Sequence, residues 1–178
     1  QSAGRGQKDF RSDMKKSQKS AAAATRDLTA LSSVELRRLI GAKEISPVEL
    51  LEACIARIER VNPFVNALAA TDYERARHAA KAAETAVMRG ERLGILHGLP
   101  TGIKDLEETA GLLSTFGSPL FRNNVPTRDA SMVARVRAAG AVIVAKTNTP
   151  EFGAGANTRN PVWGATGNPF NPNLSAGG

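Results

Sequence analysis

The sequence has few of the residues on which many catalytic and metal-binding sites depend. Its 178 residues include one cysteine and two histidines. The lone Cys54 excludes a disulfide within the chain and suits a reducing cytoplasm, which is the localisation we expect. His78 and His97 are far apart, and no cysteine or carboxylate cluster near them has metal-ligand spacing. The sequence therefore predicts no metal site and disfavours a Ser-His-Asp triad.

Aromatic residues and long apolar segments are also scarce. Aromatic residues make up 4% of the chain, so the core must be built mainly from alanine, valine, leucine and isoleucine. No apolar run approaches the length of a transmembrane helix, and the four alanines at 21–24 are too short for the core of a signal peptide. We therefore expect no membrane association.

The positive charge of the chain is concentrated at its N terminus. The formal net charge is +7, and residues 1–26 carry seven lysines or arginines against two aspartates, whereas residues 27–178 are close to neutral. Because the first segment is polar and has no hydrophobic periodicity, we predict a disordered basic tail at 1–26 and a folded domain at 27–178. Since the basic charge lies mostly in the tail, a nucleic-acid partner is disfavoured.

Three helices are predicted in the first half of the domain. The segment SSVELRRLIGAKEIS has capping-box spacing and apolar residues on one face. The segment SPVELLEACIARIERVNP begins with Ser46 as N-cap and Glu49 three residues later, and its periodicity places Cys54 in the core. A third, alanine-rich helix spans about 72–89 and is stopped by Gly90.

The second half of the domain alternates strands and helices. The segment GLPTGIKDL predicts a strand, RDASMVARVRAAG a helix capped by Asp129, and AVIVAK an apolar strand buried on both faces. A helix followed directly by such a strand is typical of an α/β layered fold. The last thirty or so residues, rich in glycine, asparagine and proline, predict a long structureless loop, which is usually functional.

Lys104 is the residue whose position asks for a chemical explanation. It follows Gly102 and Ile103 in a segment expected to be a buried strand, where an ammonium group is costly. A strand-edge lysine with its ammonium in water is the structural alternative. A phosphate-binding loop is excluded, because Asp105 follows the lysine where serine or threonine is needed.

Three segments, taken in their order and spacing, give the sequence a resemblance to a known family. They are GLPTGIKDL, TRDASMVARVRAAGAVIVAKTNTPEFG and WGATGNPFNPNLSAGG. Together they resemble the amidase signature family, whose members are serine hydrolases of C–N bonds. The resemblance covers about residues 27–178. It implies an α/β fold in which N-terminal helices pack on the first strands of a mixed sheet sandwiched by helices.

The resemblance implies a Ser-cis-Ser-Lys triad in which Lys104 is the general base. Burial would help to keep such a lysine neutral near pH 7, and the triad needs no histidine, metal or other cofactor. The family's bridging serine follows the Gly-Gly pair at 177–178, so Ser175 is not that serine, and the nucleophilic serine comes later still. We therefore expect the chain to be the N-terminal third or so of an amidase, from a partial or truncated copy, and inactive by itself.

The resemblance also implies substrate-binding residues. Gly153, Ala154 and Gly155 are expected to line the cavity for the acyl part of a small-molecule amide. The reaction stays open between hydrolysis of a linear carboxamide and the release of ammonia from glutamine by the amidotransferase subunit that serves charged tRNA. A non-catalytic truncated fragment, with the basic tail as its functional end, is the alternative from a different class. A homodimer of the full-length protein is also left open.

Overall fold

The computed structural model describes residues 27–177 of the chain. The predicted disordered tail at 1–26 lies outside these residues. Among the described residues, no helix is both long enough and apolar enough to cross a membrane.

The chain divides into two compact units, one ending at Leu31 and one beginning at Ser32. The described part of the first unit contains a single 3-10 turn, Leu28–Ala30. The Asp27 carboxylate caps this turn by accepting a hydrogen bond from the Thr29 amide at 2.9 Å. All helices and strands considered below belong to the second unit.

The α-helices of the second unit form where the local signals are strong. They are α1 at Ser33–Gly41, α2 at Pro47–Val65, α3 at Tyr73–Arg89 and α4 at Ser131–Ala138. Ser46 caps α2 by accepting hydrogen bonds from the Val48 and Glu49 amides, and the Glu49 carboxylate returns to the Ser46 amide. Asp72 caps α3, and Gly90 ends it in the left-handed conformation that glycine adopts without strain. The capping signals predicted for these two helices are confirmed.

The main sheet is mixed and has the strand order β1-β3-β2. Its strands are β1 at Leu68–Thr71, β2 at Pro100–Lys104 and β3 at Val142–Thr147. The central strand β3 pairs antiparallel with β1 and parallel with β2. A separate antiparallel pair, β4 at Arg159–Asn160 and β5 at Gly164–Ala165, follows later in the chain.

Helices cover both faces of β3. On one face, Val142, Val144 and Ala145 pack against α2 and α3. On the other face, Ile143 packs with Val133 of α4. This arrangement confirms the predicted α/β fold, with N-terminal helices on a mixed sheet that is sandwiched by helices.

A β-bulge at Val144 decides which side chains of β3 share a face. In the pairing with β2, Ile143 and Ala145 have partners and Val144 between them has none. Val144 and Ala145 therefore both face α2 and α3, and the alternation resumes one residue later. As a result, Lys146 lies on the α4 face of the sheet, where it pairs with Ile103.

Several sequence predictions were wrong in detail. Asp129 does not cap α4; Ala130 occupies the N-cap position, and Asp129 forms an ion pair with Arg137 instead. The final segment is not structureless, because it contains β4, β5 and a 3-10 turn. Cys54 is partly buried and is absent from the fully buried residues of the core. Strand β1 was not predicted, because its sequence LAAT does not alternate apolar and polar residues.

Candidate active site

Lys104 is the last residue of β2, at the point where the chain leaves the sheet. It pairs with Thr147 of β3, and the next residue, Asp105, donates its amide hydrogen to the Thr147 carbonyl at 2.9 Å. The Lys104 carbonyl accepts a hydrogen bond from the Glu107 amide at 3.0 Å. The backbone is therefore fixed on both sides of Lys104.

The Lys104 side chain, in contrast, is exposed. Among residues 27–177 its ammonium has no hydrogen bond and no ion pair. The burial predicted for Lys104 from the sequence is therefore wrong for the described part of the chain. The structure places this residue on a rigid strand end with an accessible amine.

Gly102 allows β3 to approach the strand that carries Lys104. A Cβ atom at Gly102 would lie 2.7 Å from Cγ2 of Thr147, which is closer than real Cβ contacts. This agrees with the sequence interpretation that glycine on one side of Lys104 lets a neighbour come close. The contact is with a side chain, so the backbone of β3 is not itself the obstacle.

A second lysine, Lys146 of β3, is fully buried. Its ammonium donates hydrogen bonds to the Thr109 and Ser114 hydroxyls at 3.1 and 3.0 Å, and to the Glu107 carbonyl. Asp105 Oδ1 lies 3.8 Å from Lys146 Nζ, so the two form a buried ion pair. These four partners all lie in the segment that follows Lys104.

The hydrogen bonds of Lys146 indicate that it is charged. The Thr109 hydroxyl donates to the Glu107 carbonyl and the Ser114 hydroxyl donates to the Leu112 carbonyl, so both hydroxyls are free only to accept from Lys146. Three acceptors match the three protons of an ammonium group. Burial lowers the pKa of Lys146, and the negative charge of Asp105 opposes that shift.

Asp105 is the buried carboxylate at the centre of this cluster, with no exposed surface. It accepts hydrogen bonds from the Thr115 amide at 2.9 Å and the Thr115 hydroxyl at 2.6 Å. The indole Nε1 of Trp163 donates to the same carboxylate at 3.1 Å. With Lys146, these donors balance the charge that burial would otherwise make costly.

The loop that carries Trp163 is held by buried asparagines. Asn160 accepts hydrogen bonds from the amides of Val162 and Trp163 at 2.9 and 2.7 Å. Its side-chain amide donates to Asn148 Oδ1 at 2.7 Å and to the Thr149 carbonyl at 2.8 Å. The asparagines of this segment therefore build an ordered loop rather than a loose one.

The residues predicted to line an acyl cavity lie close to the turn after Lys104. Gly153 has a φ of +72°, and a Cβ there would lie 2.8 Å from Cδ1 of Leu106, two residues beyond the lysine. Gly153, Ala154 and Gly155 are all exposed. The structure thus brings Gly153 near Leu106 and presents all three residues on the surface.

A groove of about 350 Å³ lies elsewhere, between Phe64 at the end of α2 and the segments 157–159 and 172–175. Lys104 and residues 153–155 are not among the residues that line it. We therefore do not assign this groove to the predicted substrate site.

Neither histidine contributes to the site. His97 is partly buried, and its Nε2 lies 3.0 Å from the Ala83 carbonyl, while His78 is exposed. Within the described range, no group of three or more histidine, cysteine or acidic residues is placed to hold a metal ion.

The sequence interpretation missed the buried cluster. The segment AVIVAK was treated as a wholly apolar strand although it ends in Lys146. A lysine in a strand predicted to be buried on both faces was the signal that could have identified the cluster. Asp105 and Trp163 gave no comparable signal, because their contact joins positions 58 residues apart.

Comparison with known proteins identifies the family. A family model described as Amidase matches residues 49–178. The acylamidase of Rhodococcus erythropolis is 41% identical over 123 residues, which cover 69% of this chain and 26% of that protein. A glutamyl-tRNA(Gln) amidotransferase subunit of Anaeromyxobacter dehalogenans is 45% identical over 118 residues, covering 66% and 24%.

A solved structure agrees with these relatives. A bacterial aryl acylamidase of the amidase signature family superposes with a TM-score of 0.79 at 34% identity, covering 83% of this chain and 31% of that one. The chain spans about a quarter of the length of the two curated relatives. Since the family model matches well over half of the chain, and the fold agrees with a solved member, the chain belongs to the amidase signature family.

Proposed function

We propose that this chain supplies the general base of an amidase, and that the base is Lys104. In the proposed reaction, water and a linear carboxamide RCO–NHR′ give the acid RCOOH and the amine R′NH₂ through an acyl-enzyme. The small-molecule amide is the only ligand that this reaction needs. From the family resemblance, we expect the two serines of the triad to follow residue 178.

The proposed route moves one proton in each direction. The nucleophilic serine gives its proton to the bridging serine, which gives its own to neutral Lys104 Nζ, while the serine oxygen bonds to the carbonyl carbon. The proton returns along the same path to the amine as the C–N bond breaks. Water then attacks the acyl-enzyme with Lys104 again as base, which releases the acid and restores the serine.

The observation that carries the proposal is the state of Lys104 at the end of β2. Its backbone is held by hydrogen bonds to Thr147 and Glu107, whereas its amine is exposed and has no partner among residues 27–177. A general base must be rigidly placed and must also be accessible to the group whose proton it takes. Lys146 meets the first requirement and fails the second, because it is fully buried.

A second candidate reaction uses the same base on a different amide. The 45% identity to a glutamyl-tRNA(Gln) amidotransferase subunit favours ammonia release from the glutamine side chain. In that reaction the carboxamide is glutamine and the acid product is glutamate. The two candidates share Lys104 and differ in the residues that select the substrate.

The test uses an extended protein, in which this chain is continued past Gly178 by the part of the Rhodococcus erythropolis acylamidase that follows its matched segment. Hydrolysis is measured on acetanilide, acetamide and glutamine by the amine or ammonia released. We expect turnover by the extended protein and loss of turnover in Lys104→Ala. Activity on glutamine alone would favour the amidotransferase reaction.

The matched control is Lys81→Ala, which removes a lysine whose side chain is 72% exposed on α3. This variant should keep the turnover of the unmodified extended protein. A folded Lys104→Ala variant that keeps turnover would overturn the proposal. Reading the encoding DNA past residue 178 gives a separate check, because a bridging-serine segment should follow.

A further inference from the structure

The residue after Lys104 is anchored more firmly than a strand end requires. Asp105 is fully buried and has partners on three separate parts of the chain, namely Lys146, Thr115 and Trp163. The side chains of Lys104 and Asp105 point to different surroundings, since the first is exposed and the second is buried. Anchoring the carboxylate of Asp105 therefore fixes the direction in which the Lys104 side chain leaves the backbone.

Stability alone does not explain this cluster. Removing two charges from water is costly, and apolar side chains of similar volume are often as stabilising as a buried ion pair. What charged and hydrogen-bonded groups add is a defined geometry. Lys146 uses its three protons on the segment 107–114, directly after Lys104, so the pair holds both the strand end and the segment that leaves it.

The same carboxylate reaches the end of the described chain through a short series of hydrogen bonds. Trp163 donates to Asp105, and the Trp163 amide donates to Asn160 of β4. Thr158, two residues before Asn160, donates its amide to the Gly177 carbonyl at 2.9 Å. Asp105 thus ties the backbone of Lys104 to the loop that holds Gly177.

We propose that Asp105 is a positioning residue that sets Lys104 relative to the segment around Gly177, acting through Trp163 and with its charge balanced by Lys146. The inference rests on the proposed function, in which the group that passes a proton to Lys104 follows residue 178. Base and proton donor must be held to within a fraction of an ångström, and a misplacement of about 1 Å can cost about 10²-fold in rate.

The first test uses the 178-residue chain and needs no activity. Hydrogen exchange is measured at the Glu107 amide, which bonds to the Lys104 carbonyl, in Asp105→Asn and in Trp163→Phe. We expect exchange at Glu107 to rise about tenfold or more in Asp105→Asn and less in Trp163→Phe. Amides in the middle of α3 should keep their protection, which shows that the fold is intact.

The control is Asp129→Asn, which removes another largely buried carboxylate of the same region. Asp129 accepts a hydrogen bond from the Ala110 amide and pairs with Arg137, and it does not touch Lys104 or Trp163. Its loss should raise exchange at Ala110 and leave Glu107 unchanged. Equal exchange at Glu107 in Asp105→Asn, Trp163→Phe and Asp129→Asn would overturn the inference. If Asp105→Asn does not fold, Trp163→Phe alone decides between the two outcomes.

The second test separates this inference from the proposed function. In the extended protein, kcat per folded molecule should fall about tenfold to a hundredfold in Asp105→Asn, with a small change in KM, because the substrate contacts are elsewhere. If Lys104→Ala is inactive and Asp105→Asn keeps kcat within twofold, the inference is wrong and the proposed function stands. If Lys104→Ala is active, the proposed function itself is wrong.

Discussion

Two lysines on neighbouring parallel strands have opposite surroundings. Lys104 ends β2 with an exposed amine, and Lys146 lies near the end of β3 with no exposed surface. The bulge at Val144 and the pairing of Lys104 with Thr147 place the two side chains on opposite faces of the sheet. The comparison shows that burial alone does not identify a catalytic lysine, because the buried one has all its protons engaged in holding the structure.

The largest expected effect lies on the exposed lysine. In the extended protein, Lys104→Ala should reduce kcat/KM by about 10²-fold to 10⁶-fold, the range for loss of a general base or of a triad member. Lys104→Arg should be as inactive, because a guanidinium does not give up its proton near neutral pH. Both variants should unfold at the same urea concentration as the unmodified protein, since the amine has no partner among the described residues.

An arginine variant with near-normal turnover would show that Lys104 has a structural role, because a lysine that only holds an ion pair tolerates arginine. The measurement is the initial rate of amine release, normalised to the folded fraction from circular dichroism.

The buried lysine should show the reverse pattern, with a large effect on stability. Lys146→Met leaves the Asp105 carboxylate buried without its cation, so we expect a loss of about 3–5 kcal/mol in the free energy of unfolding. The matched Lys81→Met change on α3 should stay within about 0.5 kcal/mol. Urea unfolding followed by far-UV circular dichroism measures both.

A second change tests whether charge is the cause. Combining Lys146→Met with Asp105→Asn removes both charges, and the double variant should lose less than the sum of the two single variants. Additive losses would mean that packing around Lys146, rather than its pairing with Asp105, accounts for its effect.

An ion pair nearer the surface provides an intermediate case. Asp129 is paired with Arg137, whose hydrogen bond lowers the pKa of Asp129 below its ordinary value of 3.8. Asp129→Asn should cost about 1–2 kcal/mol at pH 7, because Arg137 is partly exposed and screened. Since the folded pKa is depressed, this contribution is present above pH 3.8 and is lost as the pH falls through the folded pKa.

The measurement is the difference in unfolding free energy between the unmodified chain and Asp129→Asn at several pH values from about 7 down to about 3. The difference should narrow below about pH 3.8. A constant difference across this range would mean that the Asp129 carboxylate is not stabilised by Arg137.

The smallest expected effect concerns substrate size on the exposed side. Ala154 lies in the surface segment near the turn after Lys104, and its φ of −85° accepts any residue. In the extended protein, Ala154→Phe should reduce the rate on acetanilide about fivefold more than on acetamide, if this segment borders the acyl site. Gly153→Phe is a poorer probe, because a side chain there meets Leu106 in a left-handed backbone. Equal losses on both amides would exclude a role in size selection.

Local signals were sufficient for much of the fold. Ser46 with Glu49 predicted the start of α2, Gly90 predicted the end of α3, and the apolar run AVIVAK predicted β3. Each of these depends on residues close together in the chain, whose preferences the tertiary structure did not override. Asp129 was misassigned because a capping aspartate and an aspartate paired eight residues later have the same local sequence.

The site was predictable only in part, because its geometry depends on distant contacts. Lys104 could be singled out from its flanking glycine and from the family resemblance, but its exposure depends on which segments cover the end of β2. The Asp105 contact with Trp163 joins residues 58 apart, and no local pattern predicts such a contact. The face on which Lys146 lies depends on one bulge that the sequence does not announce.

The bulge at Val144 makes β3 sensitive to its length in a way that it is not sensitive to composition. Deleting one residue at 144 would remove the repeated face, so the residue now at 145 would turn toward α4 and the lysine now at 146 toward α2 and α3. A conservative substitution at Val144, such as isoleucine, keeps the pattern. Natural variants of this strand should therefore differ by replacement and not by insertion or deletion, because one lost residue would put the buried charge among the apolar side chains of two helices.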